Sequence, residues 1–256
     1  MLRFAGIFGV TESEAHAKNR PATIAIIHHL RPSAFVWIKK RYAQINLEEA
    51  LAVVQTIRGV PDDRPIHLIL HTLGGLSIAG EMIAQAIKLH KASVTAYIPY
   101  YAMSAGTVIA LATERVVFGR GAALGPIDSQ YYGFPVDSYI DMLKRKRARH
   151  IDDATLLIAL SAKKVIADDE KVLCDLINKK HGHGDPCKIA RYLASGIHNH
   201  GYRVTFDKAK QLGINVATGV PQEYFELVDR ELTDNDAENI ASAKAEHDMS
   251  AKGSED

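Results

Sequence analysis

The stretch between Pro65 and Gln130 limits what this chain can fold into more than any other part of it. It alternates short apolar runs with helical segments and breaks on small residues: HLILHTLGG, SIAGEMIAQAIKLH, SVTAYIPYYAMSAG, TVIALATERVVF and ALGPIDSQ. Short apolar runs bounded by turn formers read as buried strands, and longer runs with i, i+3, i+4 spacing read as amphipathic helices. Two strand-to-helix steps in succession bring the backbone around Gly74-Gly75 and the hydroxyl of Ser104 to one edge of a sheet. Open α/β folds build their sites at that edge.

The flanking sequence adds to this sheet. Ala22–Leu30 reads as a buried strand closed by Arg31-Pro32. Asn46 is an N-cap, Glu49 completes a capping box, and the helix LEEALAVVQTIRG follows, ending at Gly59. Its periodicity puts Leu47, Ala50, Leu51, Val54 and Ile57 on one face. A turn at Pro61–Pro65 completes a β-α-β unit, which argues for a parallel sheet. Beyond a loop at Tyr131–Pro135, Val136 to Lys180 contains no Gly or Pro and reads as largely helical. Pro186–Ser195 is a shorter helix capped by Gly196. A His-rich link, a helix over Phe206–Leu212, a strand around Ile214–Val216 and a last helix over Pro221–Leu232 follow. Residues 1–21 form a weakly patterned arm, and Phe35, Trp37, Ile38 and Tyr42 make a packing patch. The expected organisation is one domain over 22–232 with a helical insertion at about 136–195, then a disordered tail over 233–256.

Composition removes several function classes. A net charge of +1 over 256 residues gives no basis for nucleic acid or an anionic membrane as the main partner. The basic run Lys144–Arg149 is offset by Asp152, Asp153, Asp168, Asp169 and Glu170, as in a solvated face or an oligomer contact. No stretch approaches the ~18 apolar residues needed to span a bilayer, and no signal segment is recognisable, so a cytoplasmic protein is expected. Two cysteines, Cys174 and Cys187, cannot make a disulfide scaffold. His181, His183 and Cys187, or His198 and His200, lack the paired spacing of a zinc site, and neither metal nor cofactor is expected.

Chemistry concentrates at the two corners. Two glycines between a strand and a helix permit a sharp turn with outward N–H groups, able to hold a phosphate or the oxyanion of a tetrahedral intermediate. The same dipeptide also serves as a turn with no ligand. Tyr101-Ala102-Met103-Ser104-Ala105-Gly106 resembles a nucleophile elbow, in which small neighbours let the backbone lift the serine Oγ clear of the sheet. Ala102 stands where the strict G-x-S-x-G form has glycine. Ser104 could equally N-cap the following helix, and the two roles share one position.

Taken together, HTLGG, YAMSAGT, ALGPIDSQ and HNHGYRVTFDKAKQLGINV resemble the Clp protease/crotonase superfamily. The similarity is closest to the serine dehydrogenase proteinase group, related to the signal-peptide peptidase A enzymes, and extends over about residues 22 to 230. It implies a ClpP/crotonase-like α/β spiral of β-β-α units with a helical C-terminal part, assembled into homo-oligomers. It also implies Ser104 as acylating nucleophile, with the N–H groups of Gly75 and Ala105 as oxyanion hole. The Clp-type histidine is missing, since that step reads Asp128-Ser129. Three readings of the base stay open. His200, or less readily His198, falls near the superfamily's triad aspartate, so acid and histidine could have exchanged places as Ser104–His200–Asp128. A lysine dyad could use Lys144 or Lys146, or at longer range Lys163 or Lys164, provided the amine is desolvated. The third reading is that no competent base is present, and Asp128 merely caps backbone N–H groups in its turn. The functions that follow are a serine peptidase acting on protein or peptide, a catalytically silent oligomeric scaffold or protein-binding module, and, third, a crotonase-type acyl-CoA enzyme.

Overall fold

A computed structural model describes residues 7–9, 20–28, 44–131, 134–182 and 185–233. The expected arm over 1–21, the patch at Phe35–Tyr42 and the tail beyond residue 233 lie almost wholly outside them. Strands β1 (Ile7–Gly9), β2 (Ala22–Ile27), β3 (Ile66–His71), β4 (Val94–Ile98), β6 (Arg115–Phe118) and β11 (Val216–Thr218) form one sheet in the order β1-β2-β3-β4-β6-β11. All neighbours in it are parallel except the β1–β2 edge pair. Ile66, Leu68, Ile69 and Leu70 of β3 are all buried, so this strand reads as a continuous apolar run rather than an alternation. That pattern follows from covering both faces of a parallel sheet. Helices α1 (Leu47–Gly59), α2 (Ser77–Leu89), α3 (Ala105–Ala112) and α5 (Asp153–Leu176) belong to the main core. The opposite face is covered by α8 (residues 222–233), through Tyr224 and Val228 against Ala25, Ile27 and Ile69.

A second, smaller sheet joins β5 (Tyr101–Ala102), β7 (Ala123–Leu124) and β10 (Val204–Thr205) in the order β10-β7-β5. This mixed α/β architecture with a parallel sheet is the expected fold class. A hairpin of β8 (Gln130–Tyr131) and β9 (Phe134–Pro135) leads into α4 (Val136–Arg145), and α6 (Pro186–Ala194) and α7 (Phe206–Gln211) complete the set. Cys174 of α5 and Cys187 at the start of α6 are disulfide-bonded, a pairing across a 13-residue separation that sequence alone did not supply.

Several local expectations need correcting. The helix after Ser104 stops at Ala112, where Thr113 donates its hydroxyl to the Ala110 carbonyl, and β-branched Val116 and Val117 continue as strand β6. The long helical stretch is broken after Arg145 by Lys146 in extended backbone, and α5 starts afresh on the N-cap Asp152, whose carboxylate accepts from the Thr155 N–H. In α1 the buried face is Glu49, Ala50, Val53 and Ile57, while Leu47 and Leu51 are about half exposed. Asn46 does cap α1, accepting from the Glu49 N–H, but the Glu49 carboxylate turns inward to His28 instead of closing a capping box.

His181 locks the small helical part to the main sheet. Its Nε2 donates to the Thr113 carbonyl at 2.9 Å, and its Nδ1 accepts the Asn215 N–H at 2.9 Å. Both roles require the neutral ring, and burial drives its pKa down to about 4. The depressed folded-state value makes stability rise with pH between about 4 and 6.5, and it is lost as pH falls through that window. Global stability should therefore drop on acidification from pH 6.5 to 4 by on the order of 3 kcal/mol from this group alone. His181→Asn should be less stable at pH 7 and lose less of its remaining stability on acidification, as followed by urea unfolding across pH.

Candidate active site

Ser104 stands between β5 and α3 with φ 51° and ψ −121°, the single non-glycine residue with positive φ among the described residues. Such a conformation costs about 1–3 kcal/mol and survives only where surrounding contacts dictate it. The contacts are identifiable. Met103 N–H donates to the Thr72 carbonyl and Thr72 N–H to the Tyr101 carbonyl, which ties β5 to the end of β3. Thr107 Oγ1 accepts the Gly125 N–H at 3.0 Å and donates to the Ala102 carbonyl at 2.8 Å, fastening α3 to the Gly-Pro turn. Ser104 occupies the N-cap position of α3, yet its side chain makes no capping hydrogen bond, so the simple capping role does not hold.

Gly74 and Gly75 are both required by close approach. Gly74 has φ +100°, and a Cβ there would lie 2.7 Å from the Met103 carbonyl oxygen and from Ser104 Cβ. A Cβ on Gly75 would lie 2.2 Å from the Ile45 carbonyl oxygen. The Gly74 carbonyl accepts from Ile45 N–H and the Leu76 N–H donates to the Ile45 carbonyl, both at 2.9 Å. Successive amides along an extended segment face opposite sides, so the Gly75 N–H points away from Ile45. Neither Gly75 N–H nor Ala105 N–H donates to a backbone carbonyl among the described residues.

Ser104, Gly75 and Ala105 line a cleft of about 400 Å³ together with Asp128 and His200. His200 Nδ1 lies 2.9 Å from Asp128 Oδ1, across 72 residues of sequence. The Asp128 side chain is 2% exposed and that of His200 32%, so the carboxylate is buried behind a ring that reaches solvent. Gln130 Nε2 donates to the other Asp128 oxygen, so each oxygen of this carboxylate is bonded to a side chain. The pairing fixes the imidazole with Nδ1 on the acid and Nε2 outward.

The other proposed bases are elsewhere. Lys144 and Lys146 do not line the cleft; Lys144 is exposed and bonded to Asp141 at 2.8 Å, which holds its pKa above the ordinary lysine value. Lys163 and Lys164 are exposed on α5. His198 stacks on Tyr202 with ring centroids 3.9 Å apart and shares a hydrogen bond with Tyr192.

Two cleft residues escaped the sequence reading. Glu81 of α2 and Asp169 of α5 both line the cleft, and Asp169 accepts a hydrogen bond from Ser129 Oγ. Burial raises both carboxyl pKa values, and the Asp169 charge raises Glu81 further. Only the separate helical positions of these acids are visible in sequence, and nothing there signals that α5 crosses α2. A raised carboxyl pKa favours the protonated folded state, so its destabilising effect is absent below the unfolded pKa and complete above the folded one. Asp169→Asn should therefore melt higher than the parent at pH 8, with the difference vanishing at pH 3.5 in thermal unfolding.

A family model described as ClpP-like SDH-type serine proteinase matches residues 12–241. Two uncharacterized proteins of Methanocaldococcus jannaschii are similar in sequence. One is 39% identical over 206 residues, covering 80% of this chain and 70% of its relative. The other is 35% identical over 213 residues, covering 83% and 74%. Among solved structures, ClpP1 from Listeria monocytogenes aligns with TM-score 0.45 and 17% identity, over 70% of this chain and 89% of that one. A mutant of the 1510-N membrane-bound stomatin-specific protease aligns with TM-score 0.45 and 19% identity, over 71% and 78%.

Proposed function

The chain belongs to the ClpP-like SDH-type serine proteinase family, and on that premise we propose that it hydrolyses peptide bonds through an acyl-enzyme on Ser104. The observation that carries this reading is the left-handed Ser104 opening into the same cleft as the His200–Asp128 pair. In this scheme His200 Nε2 takes the Ser104 proton as Oγ attacks the scissile carbonyl carbon. Asp128 holds the ring in the required tautomer and stabilises the imidazolium. The N–H groups of Gly75 and Ala105 receive the oxyanion. The imidazolium then protonates the leaving amine, and a water activated by the same ring releases the acid.

Self-association of this chain is part of the proposal. Leu47 and Leu51 of α1, Leu76 at the α2 N-cap, and Ile78, Met82 and Leu89 of α2 are exposed large apolar residues that a contact between copies would cover. No helix of the described residues is long and apolar enough to cross a membrane.

A fluorophosphonate probe tests the chemistry directly. An adduct on the tryptic peptide containing Ser104, competed by peptide substrate, is the expected result. A well-folded protein that takes no label and cleaves no peptide in a diverse library would leave the catalytically silent scaffold as the better reading.

A further inference from the structure

Beneath the Gly74–Gly75 turn runs a buried polar chain from three separate elements. His28 follows β2, and its Nε2 lies 2.8 Å from Glu49 Oε1 of α1. Its Nδ1 lies 2.7 Å from Thr72 Oγ1, at the end of β3. Thr72 Oγ1 in turn accepts the Gly74 N–H at 3.0 Å. All three side chains belong to buried residues. One assignment satisfies all three bonds: His28 Nε2–H donates to the Glu49 carboxylate, the Thr72 hydroxyl donates to Nδ1, and a lone pair of the Thr72 oxygen takes the Gly74 amide.

The order carboxylate, imidazole, hydroxyl matches that of a nucleophilic triad. Thr72 is wholly buried, so no substrate carbonyl reaches its oxygen. What the chain does reach is the Gly74 amide, one residue before Gly75. We propose that Glu49, His28 and Thr72 are positioning residues: they hold the glycine turn in the conformation that leaves the Gly75 N–H open to the cleft. The proposal rests on the Ser104 hydrolase reading for its catalytic consequence, while its structural part stands apart from it.

The reason for three residues is mechanical. Gly74 at φ +100° fits against Met103 and Ser104 with no room for a side chain, so the turn has no side-chain packing of its own. The Ile45 N–H bond to the Gly74 carbonyl ties down the peptide unit that carries the Gly75 N–H, but the unit before it, which carries the Gly74 N–H, would otherwise be free to turn and strain that bond. The Thr72 hydroxyl removes that freedom, and His28 with Glu49 keeps the hydroxyl proton aimed away from Gly74. A buried network with every member satisfied is rigid, whereas a broken one leaves costly unpaired groups. The His28 backbone N–H also donates to the His71 carbonyl at 2.7 Å, which keeps the ring's own strand in register with β3.

The test compares Thr72→Val, Thr72→Ser and Glu49→Gln in the full chain. Valine keeps the shape but removes the hydroxyl, serine keeps the hydroxyl, and glutamine keeps an acceptor without the charge. Two readouts are taken: the rate of fluorophosphonate labelling at Ser104, and hydrogen exchange of the Gly74 amide. Thr72→Val should lower the maximal labelling rate by about 100-fold, as expected for a displaced oxyanion donor, with the probe's half-saturating concentration little changed. Its Gly74 amide should exchange at least about 10-fold faster than in the parent. Thr72→Ser should restore both, and Glu49→Gln should lower labelling by about 3-fold to 10-fold, a partial loss of the charge-assisted bond. Parent-like labelling and exchange in Thr72→Val, or in Glu49→Gln should the valine variant not fold, would overturn the proposal. If the parent itself takes no label but Gly74 exchange responds as described, the hydrolase reading fails and the positioning chain stands.

Discussion

Ser104→Ala should abolish fluorophosphonate labelling and lower peptide hydrolysis by about 10⁵-fold or more, with no loss of fold. Ser104→Gly should be equally inactive and melt higher. The difference comes from the backbone. Alanine keeps the Cβ in the left-handed conformation at φ 51° and so keeps the strain, whereas glycine adopts it at no steric cost. Relief of about 1–3 kcal/mol is set against the roughly 0.5–1 kcal/mol that glycine loses through added freedom of the unfolded chain. The net gain is about 1 kcal/mol, or a melting point higher by about 2–4 °C for a chain of this size. A residue that destabilises its own fold while exposing an uncommitted hydroxyl is held there for something other than stability. A glycine variant that melts no higher than the alanine variant would remove that reasoning, and full labelling of either variant would move the nucleophile elsewhere.

Much of this arrangement could be read from the sequence because it depends on local chemistry. The β3 and β4 runs, the α1 cap at Asn46 and the glycine pair are each decided within a few residues, and the structure places them as expected. The Gly-Gly turn and the elbow meet because β3 and β4 are parallel neighbours and the short strand β5, which follows β4 into the second sheet, bridges back to Thr72 at the end of β3. The cleft's other wall follows no such rule. His200 reaches Asp128 only because β10 pairs with β7, and a two-residue strand leaves almost no periodic signature. Asp169 enters the cleft from the middle of a 24-residue helix whose sequence gives no sign of which neighbour it crosses. Glu49 was misread for a related reason: its spacing from Asn46 fits a local cap, but a buried imidazole from another strand is a stronger partner for a carboxylate than an exposed amide. The α1 face shifted with it, since pulling Glu49 inward rotates Val53 into the core and leaves Leu51 outside.

Asp128→Asn should reduce the acylation rate by about 10⁴-fold while leaving substrate binding nearly unchanged. As a carboxylate, Asp128 accepts the Nδ1–H of His200, so Nε2 carries the lone pair that a base needs. An asparagine amide can satisfy the same geometry by donating to Nδ1, and the ring then holds its proton on Nε2 and has no lone pair there to take the Ser104 proton. The substitution is nearly isosteric and removes a charge from a 2% exposed side chain, so the fold should survive it. His200→Ala is the harsher test, because it strips the buried carboxylate of its ring partner and leaves Gln130 against it. Its loss of activity counts only beside a thermal unfolding curve showing the folded state intact. Lys144→Ala breaks an exposed pair with Asp141 and should leave the rate within roughly 2-fold of the parent. Should Asp128→Asn retain most of the parent's acylation rate while a lysine variant loses it, the proton acceptor lies outside the His200–Asp128 pair. An unchanged rate in all three variants would mean that Ser104, if it acylates at all, does so without a side-chain base from this cleft.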